Sequence, residues 1–212
     1  MTTPMREKMI ARVAAQREEL RQRDPREFAA KSGAEHSEGV LRLKFYGEPH
    51  VITFPELSVR VEATQRECGL NRSSMFFYYF LTADGTPLAG KWVAFRELPG
   101  GMFYHQAYQG YSGDRLATAI DNRVGVFDRA AKNLGGMKLD IGDASFAFDA
   151  LPRVRVAAVY YAGDEDFPAS ANVLFDESAS HYLPTDALAG LGSALVDRLT
   201  GEESRDDEQS QE

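Results

Sequence analysis

Between residues 41 and 61 the side chains change character at nearly every step. Leu41, Leu43 and Phe45 alternate with Arg42 and Lys44. Ile52 and Phe54 alternate beyond the turn Gly47-Glu48-Pro49, and Leu57, Val59 and Val61 alternate with Ser58, Arg60 and Glu62. A period of two with charged partners marks a strand buried on one face, and connections this short make neighbouring strands run antiparallel. The expectation is a three-stranded meander that covers one apolar face, which ties the fold to an antiparallel sheet.

The flanking sequence reads differently. Residues 5–23 are rich in Arg, Glu, Gln and Ala, all good helix formers, with a thin apolar stripe of Met9, Val13 and Leu20. This predicts a helical arm over residues 1–23, on the surface or meeting a partner. Asp24-Pro25-Arg26-Glu27 is a fresh helix start, with Asp as cap and Pro in the first turn, and Gly33 ends that helix. Residues 75–81 are apolar or aromatic throughout; periodicity does not separate helix from strand there, and Ser73-Ser74 as a cap favours helix. Leu116, Ile120, Val124, Phe127, Ala131 and Leu134 share one face, which predicts a single helix capped by Ser112 or Asp114 and stopped by Gly135-Gly136. Residues 92–95, 144–148, 154–161 and 172–175 read as strands. A last helix opens at Pro184-Thr185-Asp186, carries Leu188, Leu191, Leu195 and Leu199 on one side, and closes at Gly201. Strands and helices come in blocks, so the expected class is α+β: antiparallel sheet elements packed against several helices, in a single domain over 24–200.

Composition narrows the function classes. The chain has 212 residues, 43% hydrophobic and 26% charged, as in ordinary globular proteins. No apolar run approaches the roughly 18 residues of a membrane span, and the arginine-bearing start lacks a signal-peptide core, so a cytoplasmic protein without a membrane span is expected. Lys and Arg number 24 against 32 Asp and Glu, a net −8, which disfavours nucleic acid as a partner. Residues 201–212 hold six acids and Arg205, a net −5 that leaves −3 for the rest; with no hydrophobic residue, this tail is expected to be disordered. Cys68 stands alone, so the chain ligates no iron–sulfur cluster of its own, and Glu67 beside it disfavours a reactive thiolate.

Most motifs fail on inspection. Gly85-Thr86-Pro87-Leu88-Ala89-Gly90-Lys91 follows a phosphate-binding loop for seven positions, but Trp92 stands where Ser or Thr should hold magnesium, and a strand rather than a helix follows. Gly110-Tyr111-Ser112-Gly113-Asp114 is one residue short of a nucleophile elbow. His36, His50, His105 and His181 are never paired at ligand spacing.

Two segments remain. In residues 96–105, Pro99-Gly100-Gly101 lets the backbone turn tightly beside Arg96, Glu97, Tyr104, His105 and Tyr108. Arg96 as clamp and the rings as walls suit a planar or anionic small molecule; the plainer alternative is a turn over an aromatic core. The expected ligand-binding residues are Arg96, Glu97, Gly100, Gly101, Tyr104, His105 and Tyr108. In the second segment, Asp164, Glu165 and Asp166 follow an apolar strand and could hold a hard cation, with Asp176 as a further carboxylate; the alternative is a solvated acidic turn. The expectation joining the two is that both corners face a common hollow.

Lys91-Trp92, Arg96-Glu97-Leu98-Pro99-Gly100-Gly101, Leu134-Gly135-Gly136, Gly142-Asp143, Leu151-Pro152-Arg153, Gly163-Asp164-Glu165-Asp166-Phe167-Pro168-Ala169, Leu174-Phe175-Asp176 and Tyr182-Leu183-Pro184 occur in that order. In these the chain resembles a bacterial and archaeal family catalogued as a domain of unknown function, over roughly residues 24–199. Some members of that family look like fusions to an iron–sulfur module. The resemblance implies work near redox or tetrapyrrole (corrinoid or haem) chemistry, with any cluster held by a redox or iron–sulfur protein partner, because an Arg/Glu-rich helix stands here where the cysteines would sit. Three functions follow as expectations: a non-catalytic small-molecule or cofactor-binding accessory protein; a metal-assisted enzyme using Asp164, Glu165 and Asp166; or a scaffold docking through the N-terminal helix.

Overall fold

The structure is a computed structural model that describes residues 3–201. The acidic segment 202–212, expected to be disordered, lies outside the described residues. The order is α1 (Thr3–Arg21), α2 (Pro25–Ser32), β1 (Glu35–Ser37), β2 (Val40–Phe45), β3 (Glu48–Thr53), β4 (Val59–Val61), α3 (Leu70–Thr82) and β5 (Trp92–Ala94). Then follow α4 (His105–Tyr111), α5 (Gly113–Ile120), α6 (Val124–Asn133), β6 (Met137–Lys138), β7 (Ala144–Leu151), β8 (Val154–Tyr161), β9 (Ser170–Asp176) and α7 (Thr185–Thr200). Three 3-10 turns, Phe95–Glu97, Gly101–Phe103 and Glu177–His181, fill the connections.

Two antiparallel sheets result, ordered β1-β2-β3-β4 and β5-β9-β8-β7-β6, packed with the helices in an α+β fold. The first contains the expected meander: Leu43 faces His50 across β2 and β3, and Ile52 faces Val59 across β3 and β4. Leu41, Leu43 and Phe45 are buried while Arg42 and Lys44 face solvent, as the alternation requires. The extra strand β1, Glu-His-Ser, gives no apolar signal and forms because its backbone pairs with β2. The carboxylate of Asp24 accepts from Arg26 N at 2.9 Å, and Gly33 ends α2 at φ 74°, matching the cap and stop read in the sequence.

Two helix readings need correction. First, α3 starts at Leu70 with Gly69 as an uncapped N-cap, so Ser73 and Ser74 are buried residues inside it. Ser74 donates to Gln16 Oε1 at 3.0 Å, and Gln16 Nε2 donates to the Ser74 carbonyl at 3.3 Å. This exchange docks α1 along α3, with Val13 and Leu20 in the core, so the stripe that would have met a partner is used within the chain. Second, the helix expected over residues 116–134 is two. Asp121 and Asn122 take left-handed angles, φ 49° and 57°, which Asp and Asn tolerate better than other side chains. The four-residue step from Ile120 to Val124 conceals the break, because both residues still face the core.

The sheets meet where Tyr46 N donates to the Ala150 carbonyl of β7 at 3.0 Å. The Tyr79 hydroxyl donates to Ser32 O and accepts from Arg153 N, tying α2 and α3 to the β7–β8 turn. Residues from both sheets and from all helices except α4's exposed face contribute to one continuous apolar core.

Candidate functional site

β5 runs antiparallel to β9 in the register Trp92↔Asp176, Val93↔Phe175, Ala94↔Leu174, and leaves the sheet after Ala94. Glu97 causes this departure: its carboxylate accepts from Ala94 N at 2.7 Å and winds the first 3-10 turn. Gly100 then takes φ 75°, and Gly101 is packed so closely that a Cβ would lie 1.9 Å from the Phe95 carbonyl oxygen. The tight Pro-Gly-Gly bend is therefore real, and glycine at 101 is obligatory.

The bend carries the chain into α4 and leaves a cleft of about 470 Å³ between the first 3-10 turn, α4 and β9, lined by Arg96, His105, Tyr108, Gln109, Asn172 and Leu174 among others. This volume lies within the range of small-molecule sites. Of the residues read from the sequence, three meet here. Arg96 and His105 stand exposed on the walls, neither engaged with another described residue. Tyr108 is floor rather than wall: it is buried and stacks on Phe95 with ring centres 4.1 Å apart. Its hydroxyl makes no hydrogen bond and lies against α7, where a Cβ on Gly192 would come within 2.1 Å of it. Glu97, Gly100 and Gly101 shape the bend and do not line the cleft, and Tyr104 projects outward, 67% exposed.

Gln109 and Asn172 were not foreseen. Gln109 Nε2 donates to Ala171 O at 3.0 Å and to Asp114 Oδ1 at 2.9 Å. The backbone of Gly113 crowds the same carbonyl, with a Cβ position 2.1 Å from it. β9 is thus covered at this point, which suits the cleft to a small molecule more than to an added strand.

The acidic corner is the β8–β9 connection, residues 162–169, at the end of the second sheet where Tyr161 faces Ser170, whereas β5 stops opposite Leu174, partway along β9. It does not, however, line the cleft, so the common hollow expected from the sequence does not form. Nor do Asp164, Glu165 and Asp166 converge: no group of three or more His, Cys, Asp or Glu among the described residues is placed to hold a metal ion. The reason is local. Asp164 Oδ1 accepts from Phe167 N at 2.8 Å and Asp166 N at 2.9 Å, and these N–H groups hold its carboxyl below the ordinary value. The connection is also clamped from outside: Asn122 donates to Gly163 O and accepts from Gly163 N at 2.7 Å, and Asp143 accepts from Ala162 N at 2.8 Å.

Asp176 likewise has another role. Buried at the end of β9, it accepts from Ala89 N, Gly90 N, Ser178 N and Ser178 Oγ, at 2.6–3.0 Å. Burial pushes its pKa up, but these four donors outweigh burial and hold it below the ordinary value. The N–H groups of the phosphate-loop lookalike are therefore occupied by the protein's own carboxylate, and Lys91 pairs with Glu177 at 2.6 Å. Nearby, Asp84 bonds His181 Nδ1 at 2.7 Å; that bond, helped by Thr86, lowers the Asp84 pKa to about 2.

The arrangement defines an α+β protein with an open cleft beside β9 where β5 stops, walled by Arg96 and His105. Residues 24–198 match the family described as a domain of unknown function, DUF3786, and the chain belongs to that family. No curated protein and no solved structure matches the chain.

Proposed function

We propose that this protein is a non-catalytic, small-molecule-binding accessory protein whose ligand, planar or anionic, occupies the cleft between the first 3-10 turn, α4 and β9. The observation that carries this reading is the pair of unengaged cationic or ionisable side chains, Arg96 and His105, on the walls of a cleft floored by the Phe95–Tyr108 stack. A guanidinium pre-set on a rigid turn binds a carboxylate or phosphate through charge-assisted hydrogen bonds, and Gln109 Oε1 and the Asn172 amide add polar contacts that fix orientation. The resemblance to a family with iron–sulfur fusions supports a cytoplasmic setting near redox or tetrapyrrole chemistry, with the cluster on a partner protein. The lone Cys68 accords with such a reducing compartment.

The test is the absorption spectrum and native mass of the protein purified from its own host. A stoichiometric small molecule is expected in the wild type, with its occupancy or affinity reduced about tenfold by Arg96→Ala, since a charge-assisted bond contributes roughly 1.5–3 kcal/mol. Protein that carries nothing, and whose melting temperature neither benzoate nor inorganic phosphate shifts, would contradict the reading.

A further inference from the structure

An antiparallel strand turns its backbone groups alternately to its two neighbours. Along β9, Glu177 N donates to Lys91 O and Ala171 O accepts from Gln109 Nε2, so residues 171, 173, 175 and 177 turn their N–H and carbonyl groups toward the β5 side. Phe175 faces Val93 there, and the same register continued would set Phe95 against Val173. By then the chain has wound into the first 3-10 turn, where the Phe95 carbonyl accepts instead from Leu98 N at 3.2 Å. Val173 N–H is thus left without an acceptor among the described residues, on a residue that is 3% exposed and lines the cleft. Backbone donors this sheltered are nearly always matched, so this one calls for an acceptor on whatever fills the cleft.

Gln109 makes the opposite demand. Its Nε2 donates to Ala171 O at 3.0 Å and to Asp114 Oδ1 at 2.9 Å, which uses both amide hydrogens and fixes which way the amide points. Oε1 is left as an acceptor with no donor among the described residues. It lies beside the open N–H, because Ala171 O, which Gln109 holds, is the edge group next to Val173 N along β9. Arg96 on the cleft wall calls for an anion, and the Phe95–Tyr108 stack gives an apolar floor. We propose, building on the small-molecule reading above, that the ligand is an N-acyl amino acid. Its amide carbonyl accepts from Val173 N–H, its amide N–H donates to Gln109 Oε1, its carboxylate pairs with Arg96, and its acyl group lies over the floor. A secondary amide supplies an acceptor and a donor on adjacent atoms, which a bare carboxylic acid or phosphate does not. The ligand is a free acylamino acid rather than the end of a peptide strand, because Ala171 O is filled by Gln109 and crowded by Gly113.

Isothermal titration calorimetry of the whole chain with hippurate (benzoylglycine) and two analogues of equal length tests this. Benzoyloxyacetate keeps the carbonyl but has oxygen in place of the N–H, and 4-phenylbutyrate lacks both groups. Hippurate is expected to bind about tenfold more tightly than the ester, and more tightly still than 4-phenylbutyrate. Gln109→Ala should erase the preference for hippurate over the ester, whereas Arg96→Ala should weaken all three alike. Hydrogen exchange at Val173 N–H should slow with hippurate and the ester but not with 4-phenylbutyrate, a readout that a general change in stability does not produce. Acetyl-tetraglycine should bind no tighter than acetylglycine; tighter binding would overturn the free acylamino acid in favour of a peptide terminus. Equal affinity for hippurate and 4-phenylbutyrate, both weakened by Arg96→Ala, would overturn the amide assignment and leave the anion-binding cleft standing. No binding by any of the three would overturn both.

Discussion

Tyr108 holds the floor of the cleft by shape, not by its hydroxyl. The ring is fixed by the Phe95 stack, while the buried hydroxyl has no partner and presses on Gly192. Leaving a buried hydroxyl unmatched costs about 1–3 kcal/mol. Tyr108→Phe is therefore expected to be neutral or stabilising in urea denaturation, by up to about 1 kcal/mol. Gly192→Ala, which drives a methyl into that hydroxyl, should destabilise by about 2 kcal/mol. Asp176 is the opposite case, a buried charge matched on every side. Asp176→Ala strands three backbone N–H groups and should cost roughly 3 kcal/mol near neutral pH. Because the folded carboxyl lies below its ordinary value of 3.8, its contribution is complete above that value and is lost as pH falls through the lowered folded value. The gap between wild type and Asp176→Ala should thus close in strong acid, as denaturation at stepped pH will show. From the sequence Asp176 looks like a spare ligand; its four donors come from residues 89, 90 and 178, and only the folded chain brings the first two to it.

Elements defined by their own residues were readable. The meander, α2 and α7 carry their periods, caps and stops within a few positions, and Asp24, Gly33 and Gly201 act where the sequence places them. What escaped is set by distant partners. The α5–α6 break is stabilised from β8, because Asn122 N donates to the Tyr160 hydroxyl at 3.0 Å while its side chain clasps Gly163. Gln109 and Asn172 reach the cleft because α4 packs beside β9, and neither belongs to a local motif. The same logic explains why the bend was legible and the hollow was not: Pro-Gly-Gly announces a turn, but its position relative to residues 164–166 depends on the order of five strands. Asn122→Ala removes both clasping bonds and should cost about 2 kcal/mol. In hydrogen exchange, residues 162–169 should lose protection in that variant while the strands of the first sheet do not.

At the scale of the molecule, one buried group couples the first sheet to α3 and to pH. His50 has no exposed surface; its Nδ1 donates to Glu48 O at 2.9 Å and its Nε2 accepts from Arg72 Nη1 at 3.2 Å. Burial lowers its pKa from 6.5, and the positive charges of Arg72 and Arg198 lower it further, against the Glu48 carbonyl and carboxylate, which raise it. The unfolded chain therefore takes up a proton that the folded chain refuses. Stability should be full above about pH 6.5 and fall below it as His50 is forced to charge. His50→Gln, which can still accept from Arg72, should flatten that slope between pH 7.5 and 5.5, even though the variant is less stable overall. That acid-sensitive core lies in the first sheet, whereas the cleft lies beside β9 of the second, so ligand binding can be read without confusion from it. The most direct measurement is an amide chemical-shift titration of the whole chain with benzoate. The cleft account predicts saturable shifts centred on Arg96, His105, Gln109 and Asn172 whose midpoint moves about tenfold higher in Arg96→Ala; shifts centred on residues 164–166, or none at all, would contradict it.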